Sequence, residues 1–470
     1  MEKIGVLIVS YGAREVAMAD ALLRSKKYQV ELYIADKQCN PFNAEKATKH
    51  KVIPNLDINE ICKFAQENKD KLDFVMVGSE KPIIEGIRDL IEKQTGIPVI
   101  CPTKEYAIEE SKVAQRVLFE EIAPEANPRF QVFHPADFKG KDVQKAVYKW
   151  LDELDNQTVV KPDKPALGKG VGVWGDHFAN REQLFEHFMS NFKYGSVIIE
   201  EKIDGEESSC MGFCDGKHFI PLPDTRDYKR AFDDDRGPNT GGMGSYKDVV
   251  DWLPFLTAAE REQELALVNK VFKSWKAKIS DGTALRGVPL YLAFMHTGKG
   301  IKILEINSRP GDPEIMNLLP IIKDDFVDVC LKMAQGNLRG VALEKSATVL
   351  TYKVPADYGC YAETFPGKVD KAAVNSPVDL TKAQALTKKF GDKIRIYPGS
   401  MELRAGKNYA LKSRAIGILG IGNSIEEARQ ISQEGAKAVS GGELWNRTDV
   451  ASKQHIAKSI RHMEQLRHKS

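Results

Sequence analysis

Over its first hundred residues the chain alternates short apolar runs with amphipathic helical stretches, and no other feature narrows the fold as far. The runs GVLIVS (5–10), QVELYIA (29–35), LDFVMVG (72–78) and PVICP (98–102) have the length and composition of buried strands. Between them, AREVAMADALLRS, Ile58–Glu67 and IIEGIRDLIEK (83–93) carry the apolar spacing of helices. Strands joined through helices run parallel, because a parallel neighbour needs a long crossover where an antiparallel one needs only a hairpin. In such a sheet ligands bind beyond the carboxyl ends of the strands. The loops so placed are Ser10-Tyr11-Gly12-Ala13-Arg14 and Gly78-Ser79-Glu80-Lys81-Pro82.

The remainder divides by pattern. AIEESKVAQRVLFEEI (107–122) reads as a helix opening a second domain, with Thr103 as its cap. Residues 124–195 suggest a small α/β lobe, with QTVVKP a strand, ALGKGVGVW a glycine-rich turn and REQLFEHFMSNF a helix. SVIIEEKIDG (196–205) reads as a strand crossing into a larger lobe, which continues through a helix over 257–279 and strands over 288–297 and 301–307. From about 345 short strands and turns dominate, and ASKQHIAKSIRHMEQLRHKS closes the chain as a helix. The expected organisation is an α/β domain over 1–102, a two-lobed domain over 103–340, an α+β domain over 341–440 and a helical tail over 441–470. The tail is basic, as an RNA-binding arm would be. Its Ile456, Ile460, Met463 and Leu466 lie on one side, which favours packing against the body.

Composition excludes several classes. With 68 basic and 66 acidic residues, a net charge of +2 offers no general attraction to nucleic acid or membrane, so any anion binding must be local. No apolar run reaches the roughly 18 residues of a membrane span. The opening MEKIGVLIVSYGAR lacks a small-residue cleavage pattern and reads as a first buried strand. Seven scattered cysteines do not suit a disulfide framework, and the nine histidines show no HExxH spacing, so a reduced, cytoplasmic setting is expected.

Three blocks carry chemistry. In VVKPDKPALGKGVGV, Lys161 ends an apolar strand and Lys169 lies among Gly168, Gly170 and Gly172. Small residues let backbone approach a polyphosphate and lysines add charge, although an ordinary hairpin turn explains this block better when it is taken alone. In VIIEEKIDGEE, a strand ending in acids presents backbone to an adenine edge and a carboxylate to ribose hydroxyls, with Glu200, Glu201 and Glu207 as candidates and Glu206 as solvated surface. In LEINSRPGDPE, strand alternation puts Glu305 and Asn307 on one face, which suits Mg²⁺ and its preference for hard oxygens. A cross-strand salt bridge is the competing reading of Glu305. The glycine-rich 236–244 offers backbone N–H groups for an anion, and Arg226, Lys229 and Arg230 before it read as phosphate clamps.

These blocks are where a resemblance enters. The chain resembles the phosphoribosylamine–glycine ligases (glycinamide ribonucleotide synthetases) of the ATP-grasp superfamily. The markers GSEKPIIEGI, CPTKEYAIEESK, VVKPDKPALGKGV, EEKIDGEESS, DYKRAFDDDRGPNTGGMGSY and LEINSRPGDPE run in order along nearly the whole chain, and the last two are particular to that family. The resemblance implies an α/β protein with an ATP-grasp fold, a Rossmann-like amino-terminal domain and a carboxyl-terminal α+β domain. It implies ATP contacts from Lys161, Lys169, Glu200, Glu201, Ile203, Glu207, Arg230 and Asn239, and Mg²⁺ or Mn²⁺ on Glu305 and Asn307. Asp227, Lys229, Arg230, Arg309 and Asp312 would surround the reacting phosphate. Gly12, Arg14, Glu80, Gly241, Gly242, Gly244 and Gly311 would receive glycine and 5-phosphoribosylamine. The implied partners are these small molecules, with no nucleic acid and no membrane, acting on a monomer or weak homodimer.

The chain also departs from the family pattern. Where the family reads like GxGGREHAL this chain has SYGAREVAMAD, so Tyr11, Ala13 and Val16 replace two glycines and a histidine. DYKR stands for an Asp-His-Lys-Arg string, Pro310 for a phenylalanine, and Pro165 and Leu167 for smaller residues. The altered loop keeps open a related ligase acting on a different amine. A nucleotide-binding homologue without catalysis is the third reading, against which stand Lys161, Lys169, Arg230, Glu305 and Asn307.

Overall fold

The structure is a computed structural model that describes residues 1–164, 170–278 and 285–469. Glu2–Ser10 is the central strand of the first sheet, parallel to Tyr28–Asp36 on one side and to Phe74–Val77 on the other. Lys49–Val52 and Val99–Ile100 complete the parallel order. Helices cover both faces, so Val6 and Ile8 point into one core and Leu7 and Val9 into another. Lys49–Val52 was not foreseen, because KHKV has no apolar alternation; it is an edge strand, where charge discourages further pairing.

Two expected helices differ. The stretch 83–93 is two helices, Glu80–Glu85 and Ile87–Thr95, parted at Gly86 with φ of +88°. The helix expected over 107–122 starts at Lys112, where Ser111 Oγ accepts from the N–H of Ala114 at 3.0 Å; tight turns fill 104–110 and Thr103 caps nothing.

Two antiparallel sheets follow. The smaller runs Phe130–Phe133, Val197–Glu201, Thr158–Pro162, Gly172–Val173, and the helices Val143–Glu153 and Arg181–Phe192 seal an aromatic core of Phe133, Phe188 and Phe192 beneath it. The larger runs Phe219–Pro221, Glu206–Asp215, Arg286–Thr297, Gly300–Asn307. The strand read over 196–205 is thus two: Val197–Glu201 in one sheet and Glu206–Asp215 in the other, with 202–205 linking them. Cys210, Leu292, Phe294, Ile303 and Ile306 line one face of the larger sheet and pack on Val268, Phe272 and Trp275 of helix Ala258–Ala277. Strand alternation leaves the opposite face for polar residues.

The last sheet draws strands from the middle of the chain. Arg226–Asp227 and Gly244–Lys247 pair in line with Ala347–Pro355, Ile416–Gly422 and Ile394–Pro398. Gly244–Lys247 is wholly buried, so the glycine-rich block is anchored at both ends. The expected loop over 236–244 narrows accordingly: Arg236–Asn239 forms a hairpin with Arg230–Phe232. The helix Lys453–Lys469 packs Ile456, Ile460, Met463 and Leu466 against Leu253, Phe255 and Val349, as its apolar side requires. Met463 is fully buried, so Met463→Ala is expected to lower the unfolding free energy by about 2–5 kcal/mol in denaturant titration.

Candidate active site

The polar face of the larger sheet is the floor of the site. Register places Ser209 of one strand beside Ala293 and Ala293 beside Glu305, and Tyr291 beside Asn307. Glu207, Ser209, Tyr291, Glu305 and Asn307 therefore share this face. Glu207 holds Lys229 Nζ at 2.6 Å. Among the described residues no side chain hydrogen-bonds or ion-pairs with the carboxylate of Glu305 or the amide of Asn307, which removes the salt-bridge reading of Glu305. Burial pushes the Glu305 carboxyl up, but Lys229, Arg309, Lys161 and Lys112 around it outweigh burial and hold it below the usual carboxylate range. An ionised carboxylate and an amide oxygen, adjacent and unpartnered, are the donor set of a hard divalent cation. The buried group Cys210, Asp224 and Glu264 on the opposite side is different: Arg261 lies between the two acids and supplies the positive charge itself.

The wall facing this floor comes from the smaller lobe. Lys161 Nζ is 2.6 Å from Glu200. Glu200 also takes a two-pronged contact from Arg116, with Nε at 2.7 Å and Nη2 at 3.2 Å. Three of the about four acceptor sites of its carboxylate are thus taken by protein, and it holds Lys161 in place. Arg116 went unnoticed in the sequence because it reaches Glu200 across 84 positions and sits inside an ordinary amphipathic helix. The Glu201 carboxylate accepts from the backbone N–H of Arg129 at 2.9 Å. Ile203 lies half-buried in the link between the two sheets. Lys169 lies outside the described residues.

Along the glycine-rich block, Lys229 and Arg230 reach the site while Arg226 does not. Arg226 turns to the other side, where it meets Glu206 and donates to Ser459 Oγ at 2.8 Å. It is a tether for the carboxyl-terminal helix, and Glu206 is buried with it, contrary to the expectation of a solvated acid. Arg230 donates to the Gly237 carbonyl at 2.8 Å and contacts Asp176 of the smaller lobe, tying the two lobes together. Asn239 lies opposite Arg230 in the hairpin. Gly242 has φ of +104°, and a Cβ there would come within 2.5 Å of Asp227 Oδ1. Gly244 faces inward, where a Cβ would meet the Leu350 carbonyl at 2.5 Å; it serves strand packing and lines no ligand space, contrary to expectation.

The turn after Asn307 joins this site to the amino-terminal sheet. Arg309 pairs with Glu109 at 2.5 Å, and its Nε is buried without a hydrogen-bond partner, as is Asp227 Oδ1. Asp312 is held by Arg414 at 3.0 Å and by the Tyr352 hydroxyl at 2.8 Å, and Arg414 also contacts the carbonyl of Gly241. Gly311 lies against Glu314, whose carboxylate accepts from Ser209 Oγ at 3.3 Å. Arg14 is buried and donates to the Pro310 carbonyl at 3.1 Å, with Glu80 3.7 Å away. Glu15 accepts from the N–H of Gly12 at 2.9 Å, leaving the face of Gly12 open. Beside these residues a cleft of about 200 Å³ opens between Tyr11, Lys37, Asn55, Ser79, Glu80 and Lys81. Lys37 Nζ lies 4.0 Å from the centre of the Tyr11 ring. Lys81 belongs to a strand-end loop that the sequence marks as a ligand site, whereas Lys37 carries no pattern by which the sequence could find it.

Residues 4–110 match the family "Phosphoribosylglycinamide synthetase, N domain" and residues 130–315 match "Phosphoribosylglycinamide synthetase, ATP-grasp (A) domain". The phosphoribosylamine–glycine ligase of Methanocella arvoryzae is 35% identical over 98% of this chain and 99% of its own length. The Pyrococcus furiosus ligase of the same name is 34% identical over 99% of this chain and 98% of its own. The chain belongs to the phosphoribosylamine–glycine ligase family. Among solved structures, the phosphoribosylamine–glycine ligase of Thermotoga maritima superposes with a TM-score of 0.71 at 24% identity, covering 95% of this chain and all of that one. The ADP complex of an N5-carboxyaminoimidazole ribonucleotide synthetase superposes at 0.59, with 13% identity and 93% and 96% coverage, and shows the same ATP-grasp architecture.

Within this family's fold the Arg116–Glu200–Lys161 cluster makes a definite pH signature. Burial raises the Glu200 carboxyl, but Arg116 and Lys161 reverse that and bring it from 4.5 to about 2. Unfolding therefore lets Glu200 take up a proton between those values. Its contribution is complete above about pH 4.5 and fades as the pH falls towards 2. Glu200→Gln is expected to flatten the acid limb of a stability–pH curve in that window. Arg116→Met, which leaves the buried carboxylate to Lys161 alone and the Ile303 and Leu304 carbonyls without this donor, is expected to cost about 3–5 kcal/mol at neutral pH in the same titrations.

Proposed function

We propose that the protein joins glycine to 5-phosphoribosylamine, converting ATP to ADP and phosphate and yielding glycinamide ribonucleotide, a step of purine biosynthesis. The observation that carries this reading is the unpartnered Glu305–Asn307 pair ringed by Lys229, Arg309, Lys161 and Lys112. Family membership supports the choice of substrates.

ATP lies between the lobes, with Lys161 on its phosphates, the 201–203 link at the base, and Arg230 and Asn239 closing from the glycine-rich side. Glu200 acts through Lys161, and Glu207 through Lys229. Glu305 and Asn307 would hold Mg²⁺ or Mn²⁺, which neutralises phosphate charge and orients the transferring group. The glycine carboxylate attacks the γ-phosphorus, the bond to the β-phosphate oxygen breaks, and ADP departs. Lys229, Arg230 and Arg309 receive the charge that moves over the phosphoryl oxygens. The Asp227 carboxylate, whose Oδ1 has no hydrogen-bond partner among the described residues, positions glycine beside Gly241, Gly242 and Gly311. The N–H groups of these three donate to the Tyr358 hydroxyl, Thr240 Oγ1 and Met211 Sδ. Asp312, held by Arg414 and Tyr352, steadies the turn. The amine nitrogen then attacks the carbonyl carbon of glycyl phosphate, phosphate leaves, and the nitrogen loses its proton. No side chain serves as nucleophile. The protein's task is orientation, neutralisation and exclusion of water from an acyl phosphate.

The amine approaches from the amino-terminal cleft, past Gly12, Arg14 and Glu80. Lys37 and Lys81 supply positive charge for its 5-phosphate, and Tyr11 forms the wall where the family pattern has glycine. That wall favours a second reading, a ligase for a different amine. Phosphate release by purified protein with Mg·ATP and glycine, with and without phosphoribosylamine, separates them. Release that needs both substrates and is lost in Glu305→Ala is expected, whereas release indifferent to phosphoribosylamine would sink the choice of amine. Lys37→Met is expected to raise the KM for phosphoribosylamine about tenfold or more and leave the KM for glycine unchanged in steady-state assays.

A further inference from the structure

The segment bearing Asp227, Lys229 and Arg230 is gripped from behind by the end of the chain. The Arg447 side chain has no solvent exposure. Its Nη1 donates to the Arg230 carbonyl at 3.0 Å and to Asp235 at 2.9 Å, while Nε and Nη2 each reach Asp449 at 2.7 Å. The same guanidinium lies 4.9 Å from the centre of the Tyr228 ring, whose hydroxyl accepts from the N–H of Ala451 at 2.8 Å. His455 Nε2 meets Asp235 at 2.8 Å, and the N–H of Thr448 donates to Asp233 at 2.8 Å. Both strands of the hairpin Arg230–Phe232 and Arg236–Asn239 are thus pinned through the turn between them.

A planar fork with five donors suits this arrangement, because one rigid group meets a carbonyl, two carboxylates and an aromatic face together. Its direct bond is to the backbone of Arg230, the residue whose own guanidinium crosses to Asp176 in the other lobe. A shift of that carbonyl moves the Arg230 side chain at the point where the lobes meet.

We propose that Arg447 is a positioning residue for nucleotide binding, holding Arg230 in the place where it meets ATP phosphate. The inference rests on the reading that Arg230 contacts ATP, and it assigns the carboxyl-terminal segment a part in the site beyond covering the core. Arg447 does not touch the nucleotide; it acts through Arg230.

A double-mutant cycle on the full-length protein tests this, read as the dissociation constant for Mg·ATP by titration calorimetry. Arg230→Met and Arg447→Met are each expected to weaken binding by about tenfold or more, and the double variant by no more than the weaker-binding single variant. Arg447→Lys keeps the charge but loses the fork; it is expected to stay folded and to show the same non-additivity with Arg230→Met. Arg467→Met removes a remote ion pair of the helix Lys453–Lys469 with Glu260, at 2.7 Å, and is expected to lower Tm without changing ATP affinity. Multiplying losses in the double variant would mean a general structural role and would overturn the proposal. So would wild-type ATP affinity in both Arg447 variants, or in Arg230→Met. Since the readout is ATP affinity, a protein that binds ATP without ligating glycine defeats the proposed reaction and leaves this test decisive.

Discussion

Arg116 is the contact on which the two halves of the ATP-grasp fold depend. Enclosed between the lobes, its guanidinium holds Glu200 of the smaller sheet and donates to the carbonyls of Ile303 and Leu304 in the larger one, at 2.8 and 2.6 Å. Those carbonyls immediately precede Glu305. One buried cation therefore fixes the distance between the wall that carries Lys161 and the floor that carries Glu305 and Asn307. A buried charge of this kind is costly unless every donor is used, and Arg116 uses its donors on a carboxylate, two carbonyls and Asn127.

From that frame the site follows as an ordered set of charges. Glu200 steadies Lys161, Glu207 steadies Lys229, Glu109 steadies Arg309, and Asp312 steadies Arg414. Glu305 alone among the acids of that floor keeps an ionised carboxylate without a partner among the described residues, in a field of lysines and arginines. Acyl phosphate chemistry calls for this type of site, where fixed dipoles and charges replace water and need little rearrangement as charge moves.

The departures from the family pattern fall in more than one place, while the relatives match over nearly the full chain. Pro165 and Leu167 lie outside the described residues, and Tyr228 of DYKR is buried beside the Arg447 guanidinium. Tyr11 and Pro310 lie where the amino-terminal sheet meets the turn after Asn307. Tyr11 is covered by Lys37, which gives the loop a cation over an aromatic face instead of bare backbone N–H groups.

Much of the fold was legible because it rests on local periodicity. The parallel sheet of the first domain, the apolar side of the last helix, and the shared face of Glu305 and Asn307 all follow from spacing of two or about 3.6 residues. What spacing does not encode is which side chain meets which across the chain. Arg116 and Arg447 look like ordinary polar positions, Arg226 looks like a phosphate clamp, Glu200 looks like a free acceptor, and Gly244 looks like part of a ligand loop. Their roles were decided by partners 84, 217, 233, 39 and 106 positions away. The sequence by itself determined the order of elements and the residues able to carry phosphate chemistry, since both depend on neighbours along the chain. Only the tertiary structure decided which charges are spent on one another and which stay open to a ligand, since that depends on burial and on contacts made when distant strands close.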